Sequence, residues 1–316
     1  MSKQSLIFSR RADDGIMTAT DVAHRAPAAF SSGHAEGLSQ RYGMVNTARA
    51  IEVLDGFGWA PTQAAQKKSR KPEGHAYAEH LLAFSNPSRY PFAGSDGERP
   101  EVVLYNSHDG TSSLRLFVGF YRFICSNGLV AGDGFEARLR HSSGTVAGFE
   151  LMLADVVDRI PAMMHAAEVL KARQLSGAAI LEVARRAAAL RWDAMPEEYH
   201  GGPAGMFPIG ANDPLRGSFY SRQTVHQLAQ PRRWDDNGAD AWRVLNRIQE
   251  GVIRGGAMIQ SLTDRQPFGV DRKARAVGSV GETVRINRAL WDIMADVAEV
   301  DLAPVETAPA CAIAAE

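Results

Sequence analysis

Two segments with strand character, residues 101–107 and 113–124, are joined by the polar run Asn106-Ser107-His108-Asp109-Gly110-Thr111. A turn of that composition between two such segments reads as an antiparallel hairpin, which commits this part of the chain to a sheet. Residues 80–84 and 135–141 carry further strand signals, so the block supplies about four strands. Residues 86–100 read as a Pro/Gly/Ser loop within it.

Helical spacing brackets that block. Val45, Ala48, Ile51 and Leu54 mark a helix before it. After Gly148, Phe149, Leu153, Val156, Ile160, Met163, Ala167 and Leu170 keep helical spacing, and Pro161 is expected to kink or split that helix. An Ala-rich helix is expected over 178–192, and 195–218 reads as a long connection. Trp242, Leu245, Ile248 and Val252 mark a further helix, closed by Gly255-Gly256, and Ile286, Leu290, Ile293 and Val297 mark the last. The fold class is therefore α+β: an antiparallel β-sheet flanked by helices, with a helical C-terminal half. The expected organisation is a flexible N-terminal arm over 1–38, a sheet domain over 39–148, a helical region packed on the sheet over 149–300, and a disordered tail over 301–316.

Alternation sorts the central strand into two faces. Leu114, Leu116, Val118, Phe120 and Ile124 form an apolar face interrupted by Arg122, and Arg115, Phe117, Gly119, Tyr121 and Phe123 lie opposite. Arg138 and Arg140 alternate in the same way along 135–141. Two readings stand side by side. The aromatic stripe forms a second core layer beneath helices while the arginines snorkel to water, or rings and guanidinium groups make a surface where bases stack and phosphates bind. Lys67, Lys68, Arg70 and Lys71 crowd one loop, and Arg272, Lys273 and Arg275 form a second cluster. With 35 basic against 36 acidic residues, any nucleic-acid site must be a local patch.

The polar turn also admits two readings. Asx and hydroxyl hydrogen bonds could hold it, with Gly110 at positive φ. Alternatively, His108 and Asp109, with Asn106, Cys125 and His141, form a metal-assisted or acid–base site, for which Mg²⁺ would be the cofactor. A nucleophilic version pairs Cys125 or Ser107 with His108, whereas a free Cys in apolar surroundings is commonly an inert small hydrophobe. Neither His141 nor Asp133 adds a metal-ligand spacing. Asn246, Arg247, Gln249, Glu250 and Arg254 read as a solvated face or subunit contact, or as a buried network against the turn.

Walker-type glycine loops, HExxH and paired CxxC motifs are absent from the sequence. Two cysteines fit a reducing compartment, the opening MSKQSLIFSRR has no apolar core and is not expected to act as a secretory leader, and no apolar run in the sequence approaches roughly 20 residues. A cytoplasmic protein without membrane contact is expected.

The run LYNSHDGTSSLRLFVGFYRFICSNGLVAGD, the later RLRHSS, AWRVLNRIQEGVIRGG and VRINRALWDI, together with the opening RYGMVNTARAIEVLDGFGWAP, resemble a phage- and plasmid-associated family of unknown function. The resemblance spans about residues 40–295 and implies carriage on a mobile element, but brings no activity, catalytic residue or cofactor. A fold-level likeness to Rad52-type single-strand annealing proteins implies rings that hold single-stranded DNA in a basic groove.

The expected function is single-stranded DNA binding and annealing by a homo-oligomer, in a ring on the annealing-protein analogy, without bond chemistry or cofactor. Lys67, Lys68, Arg70, Lys71, Arg115, Arg138 and Arg140 would meet phosphates, and Phe117 and Tyr121 would meet bases. The alternatives are the enzymatic turn, acting on nucleic acid or nucleotide, and a mobile-element factor that binds a host protein.

Overall fold

The computed structural model describes residues 16–67, 72–90, 98–122, 129–130, 136–141, 146–195, 217–263 and 266–302. In its first half come α1 (Ala19–Arg25), α2 (Thr47–Gly56), β1 (Ala60–Gln66), the single turn α3 (Pro72–His75), β2 (His80–Ser85), β3 (Glu98–Asn106), β4 (Leu114–Arg122), β5 (Leu129–Val130) and β6 (Glu136–Leu139). The second half holds α4 (Val146–Asp158), α5 (Ile160–Ala172), α6 (Gly177–Ala189), β7 (Asp193–Ala194), β8 (Gly217–Tyr220), α7 (Arg222–Ala229), α8 (Ala241–Ile253), β9 (Met258–Thr263), β10 (Gln266–Lys273) and α9 (Val280–Ala298).

The expected hairpin is β3–β4, within an antiparallel sheet ordered β1-β2-β3-β4-β5, with β6 also pairing β4. Leu82, Leu104 and Leu116 occupy one row across its three central strands and are fully buried. They join Phe149 and Leu153 of α4 in the main core, which continues to Trp242 and Leu245 of α8. The split at Pro161 is real: α4 ends at Asp158, and Pro161 occupies the first turn of α5, where a missing N–H costs nothing.

One part of the expected organisation is corrected. Within the supposed flexible arm, α1 starts on a Thr18–Asp21 capping box, and Val22, Ala26 and Ala29 bury themselves in the main core. The Gln66 side chain accepts from the Ala28 amide and Ala35 donates to the His108 carbonyl, so β1 and the polar turn hold this segment in place. The second half is helical as expected, and it also carries strands. It contains a second sheet ordered β10-β9-β8-β7, in which only the β7–β8 pair is parallel. Among the described residues, no helix is long and apolar enough to cross a membrane.

Candidate functional site

The β4–β6 register sets Arg115 directly opposite Arg138. Arg140 lies two residues further along, so alternation returns it to the same face. Arg138 and Arg140 are exposed, and Arg115 is half-buried. Arg138 donates from Nε to the Ser113 hydroxyl at 2.6 Å, which orients the guanidinium without neutralising it. Among the described residues, no carboxylate forms an ion pair with Arg138 or Arg140. Arg138 and Arg140 therefore present positive charge along the β6 edge, next to half-buried Arg115, which has contacts of its own.

Among the described residues, Lys67 and Phe117 do not extend that strip into a trough. Lys67 follows β1, at the opposite edge of the sheet, and its Nζ pairs with Glu79 at 3.2 Å. Between the two edges, Leu81 and Tyr105 bury the row that Arg115 continues. Phe117, expected to meet bases, is 1% exposed and packs with Val103, Tyr105 and Val284 of α9. The second-core reading is correct for that ring, because α9 covers it. Lys68, Arg70, Lys71 and Cys125 lie outside the described residues, as does the side chain of Tyr121. In the second basic cluster, Arg272 donates to the Ser218 hydroxyl at 2.6 Å, within the second sheet.

The polar turn is structural in its geometry. Asp109 accepts from the Thr111 amide at 3.0 Å and from the Thr111 hydroxyl, which closes an Asx turn. Burial pushes the Asp109 carboxyl up, but hydrogen bonds from Thr111 and Ser107 outweigh it and hold the group below its usual value. Gly110 takes φ +77° as expected. His108 turns inward and is fully buried, so the two side chains serve different neighbours.

Those neighbours form a buried cluster that sequence reasoning did not assemble. Thr47, the first residue of α2, places its hydroxyl 2.8 Å from His80 Nε2 and 3.3 Å from His108 Nε2, and accepts from Asn106 Nδ2 at 2.9 Å. His80 Nδ1 lies 2.9 Å from the Ala78 carbonyl and must donate to it, so Nε2 accepts the Thr47 proton. His108 is then left to donate from Nε2. Val45 N–H donates to His141 Nδ1 at 3.1 Å, so that ring carries its proton on Nε2. Burial pushes His80 down to about 4 and His108 to about 3, and lowers His141 as well. Neutral imidazoles at neutral pH follow.

Tyr42 stacks on His141 at 5.0 Å, and burial pushes its hydroxyl up to about 12. Among the described residues, no three His, Cys, Asp or Glu side chains are grouped so as to hold a metal ion. The cluster ties α2, β2, β3 and the turn together through a satisfied hydroxyl. A polar first-turn Thr beside two strand-end residues of one sheet face was the only sequence signal for it.

The polar residues of α8 are not a solvated face. Asn246, Arg247, Gln249 and Glu250 are all buried. Their network runs to α9 and the 233–240 segment rather than to the polar turn. Gln249 donates to Asn287 at 2.7 Å, Arg233 pairs with Glu250 at 2.8 Å, and Arg247 donates to the Gly238 carbonyl at 2.7 Å.

Residues 35–291 match a family described as a domain of unknown function, DUF932. The chain is 28% identical over 284 residues to the UPF0380 protein YafZ of Escherichia coli (strain K12), covering 90% of this chain and 92% of that protein. It is equally similar to the UPF0380 protein YfjQ of the same organism, with the same coverage. No solved structure matches the chain significantly. The matched span takes in the histidine cluster, the arginine edge and α8, and the chain belongs to the DUF932 family.

Proposed function

We propose that the protein binds single-stranded nucleic acid without breaking bonds, meeting phosphates along the β6 edge. The observation that supports this reading is the cross-strand pair Arg115–Arg138 with exposed Arg140 beyond it. Like charges directly opposite each other weaken a ladder, and a polyanion laid along the edge relieves that repulsion while releasing its own counterions. The chain as a whole is nearly neutral, so attraction would be confined to this strip. Annealing by a homo-oligomer, and carriage on a phage or plasmid, belong to the same proposal and rest on resemblance and fold-level analogy.

Anisotropy of a labelled single-stranded oligonucleotide, titrated at several salt concentrations, tests the reading. Affinity that falls steeply as salt rises supports it, and absent or salt-independent binding contradicts it. If the paired variant Arg138→Ala/Arg140→Ala self-associates with unchanged affinity for the oligonucleotide, the arginines instead guard an exposed sheet edge.

A further inference from the structure

We propose that the cleft between α6 and α7 binds a small carboxylate with an apolar ring or chain. The cleft shares no residue with the β6 edge and is independent of the single-strand reading. Its volume of about 550 Å³ is that of pockets which take small molecules. Leu181 of α6, Met195 beside β7 and Val225 of α7 line it, and most of its wall is apolar. Such a wall favours a ligand whose body leaves water, in proportion to the apolar area covered.

The walls are fastened before any ligand arrives. Ser221 caps α7: its hydroxyl accepts from the Thr224 amide, and its own amide donates to the Thr224 hydroxyl oxygen at 3.0 Å. That hydroxyl in turn donates to the Met258 carbonyl of β9 at 2.6 Å. On the strand side, the Met195 amide donates to the Tyr220 carbonyl at 3.1 Å. Arg222, the first residue of α7, therefore meets the cleft from a braced turn. A site built on fastened elements loses little entropy when it is filled.

One positive charge on the wall lacks a counterpart. Glu182 lines the cleft from α6, but Arg185 holds both of its carboxylate oxygens, at 2.8 and 2.7 Å. Among the described residues, no carboxylate forms an ion pair with Arg222. Arg185 and Arg222 against Glu182 leave one formal positive charge. Ser221 and Arg222 both line the cleft, so the positive end of α7 adds to it. His226, one turn along the same helix, offers a ring nitrogen beside Arg222. A guanidinium fork donates two parallel hydrogen bonds to a carboxylate, and one excess charge balances a carboxylate but only part of a phosphate dianion.

Isothermal titration of the full chain with naphthoate and octanoate, each beside its uncharged alcohol, tests the assignment. The wild type should bind at least one carboxylate on the order of ten-fold more tightly than its alcohol, because only the carboxylate meets the guanidinium as an ion. Arg222→Gln should remove that preference and leave the alcohol's affinity unchanged. Ala178→Trp, at an exposed position of the cleft wall, should fill the space and abolish binding of acid and alcohol alike. Both substitutions lie at exposed positions, and an unchanged melting temperature shows that each variant is folded. Equal affinity for acid and alcohol in the wild type, or a preference that survives Arg222→Gln, overturns the anion assignment. Binding that survives Ala178→Trp lies elsewhere and overturns the site, as does a wild type that binds neither carboxylate. Oligonucleotide affinity, read through Arg138→Ala/Arg140→Ala, should be the same with or without either carboxylate.

Discussion

Arg115 and Arg138 are direct cross-strand partners on β4 and β6. Two guanidinium groups directly opposite each other weaken a ladder unless neighbouring groups offset the repulsion, and Arg115 has contacts of its own. Ser113 holds Arg138 by Nε. That contact fixes the direction of the group but does not discharge it.

Thr47→Val should destabilise the fold by about 1–3 kcal/mol, because the exchange leaves buried imidazole and amide groups without their shared hydroxyl. Urea denaturation measures the loss. Oligonucleotide affinity of the folded variant should not change, since the hydroxyl lies beneath α2 and not on the β6 edge. A drop in affinity at full folding would tie the histidine cluster to the ligand instead.

The fold should lose stability in acid on account of the same cluster. His80 titrates near 4 and His108 near 3 in the native state, both below the ordinary 6.5, chiefly because burial disfavours the imidazolium. The unfolded chain therefore takes up these protons first, and their contribution, complete above pH 6.5, is lost as pH falls toward 4. Glu101 runs the other way. Burial lifts its carboxyl from 4.5 to about 7, although Arg99 and the Thr62 hydroxyl pull it down. Its contribution is complete below pH 4.5 and is lost as pH rises through about 7. Chemical unfolding between pH 4 and 8 should show stability rising from pH 4 to 6.5, partly offset by Glu101 above pH 4.5, and Glu101→Gln should steepen that rise and remove the fall toward pH 7. An acid limb without slope would contradict the burial of the imidazoles.

Gly255→Ala should be among the most disruptive single changes in the helical half. Gly255 takes φ +78°, and an added Cβ would sit 2.4 Å from the Ala274 carbonyl oxygen. Both the strained backbone and the clash act on main chain that cannot swing aside. Thermal unfolding should place this variant well below Gly278→Ala, whose Cβ meets nothing within 4 Å. Equal melting temperatures would refute the close approach.

Local pattern carried much of this architecture. The hairpin, the break at Pro161, the two helices around Trp242 and Leu290, and the glycine cap at Gly255 all follow from spacing and turn chemistry. β1 did not, because its sequence APTQAAQ lacks the branched and aromatic residues that signal a strand, and pairing with β2 decides it. β10 carries Pro267 and Gly269, which argue against a strand until β9 lies beside them.

The arginine edge was readable from alternation alone. Alternation assigns a residue to a face but does not say what covers that face, so the burial of Phe117 under Val284 was beyond it. The cleft between α6 and α7 was not legible at all, because its walls come from separate segments that only the folded chain brings together.

The most direct measurement is the salt dependence of oligonucleotide affinity in the wild type and in Arg138→Ala/Arg140→Ala. For a single strand, each phosphate contact contributes about 0.7 to the slope of log K against log salt. Losing two contacts should therefore flatten the slope by about 1.4, with the melting temperature nearly unchanged because both side chains are exposed. An identical slope in the two proteins would contradict the claim that this edge holds the strand.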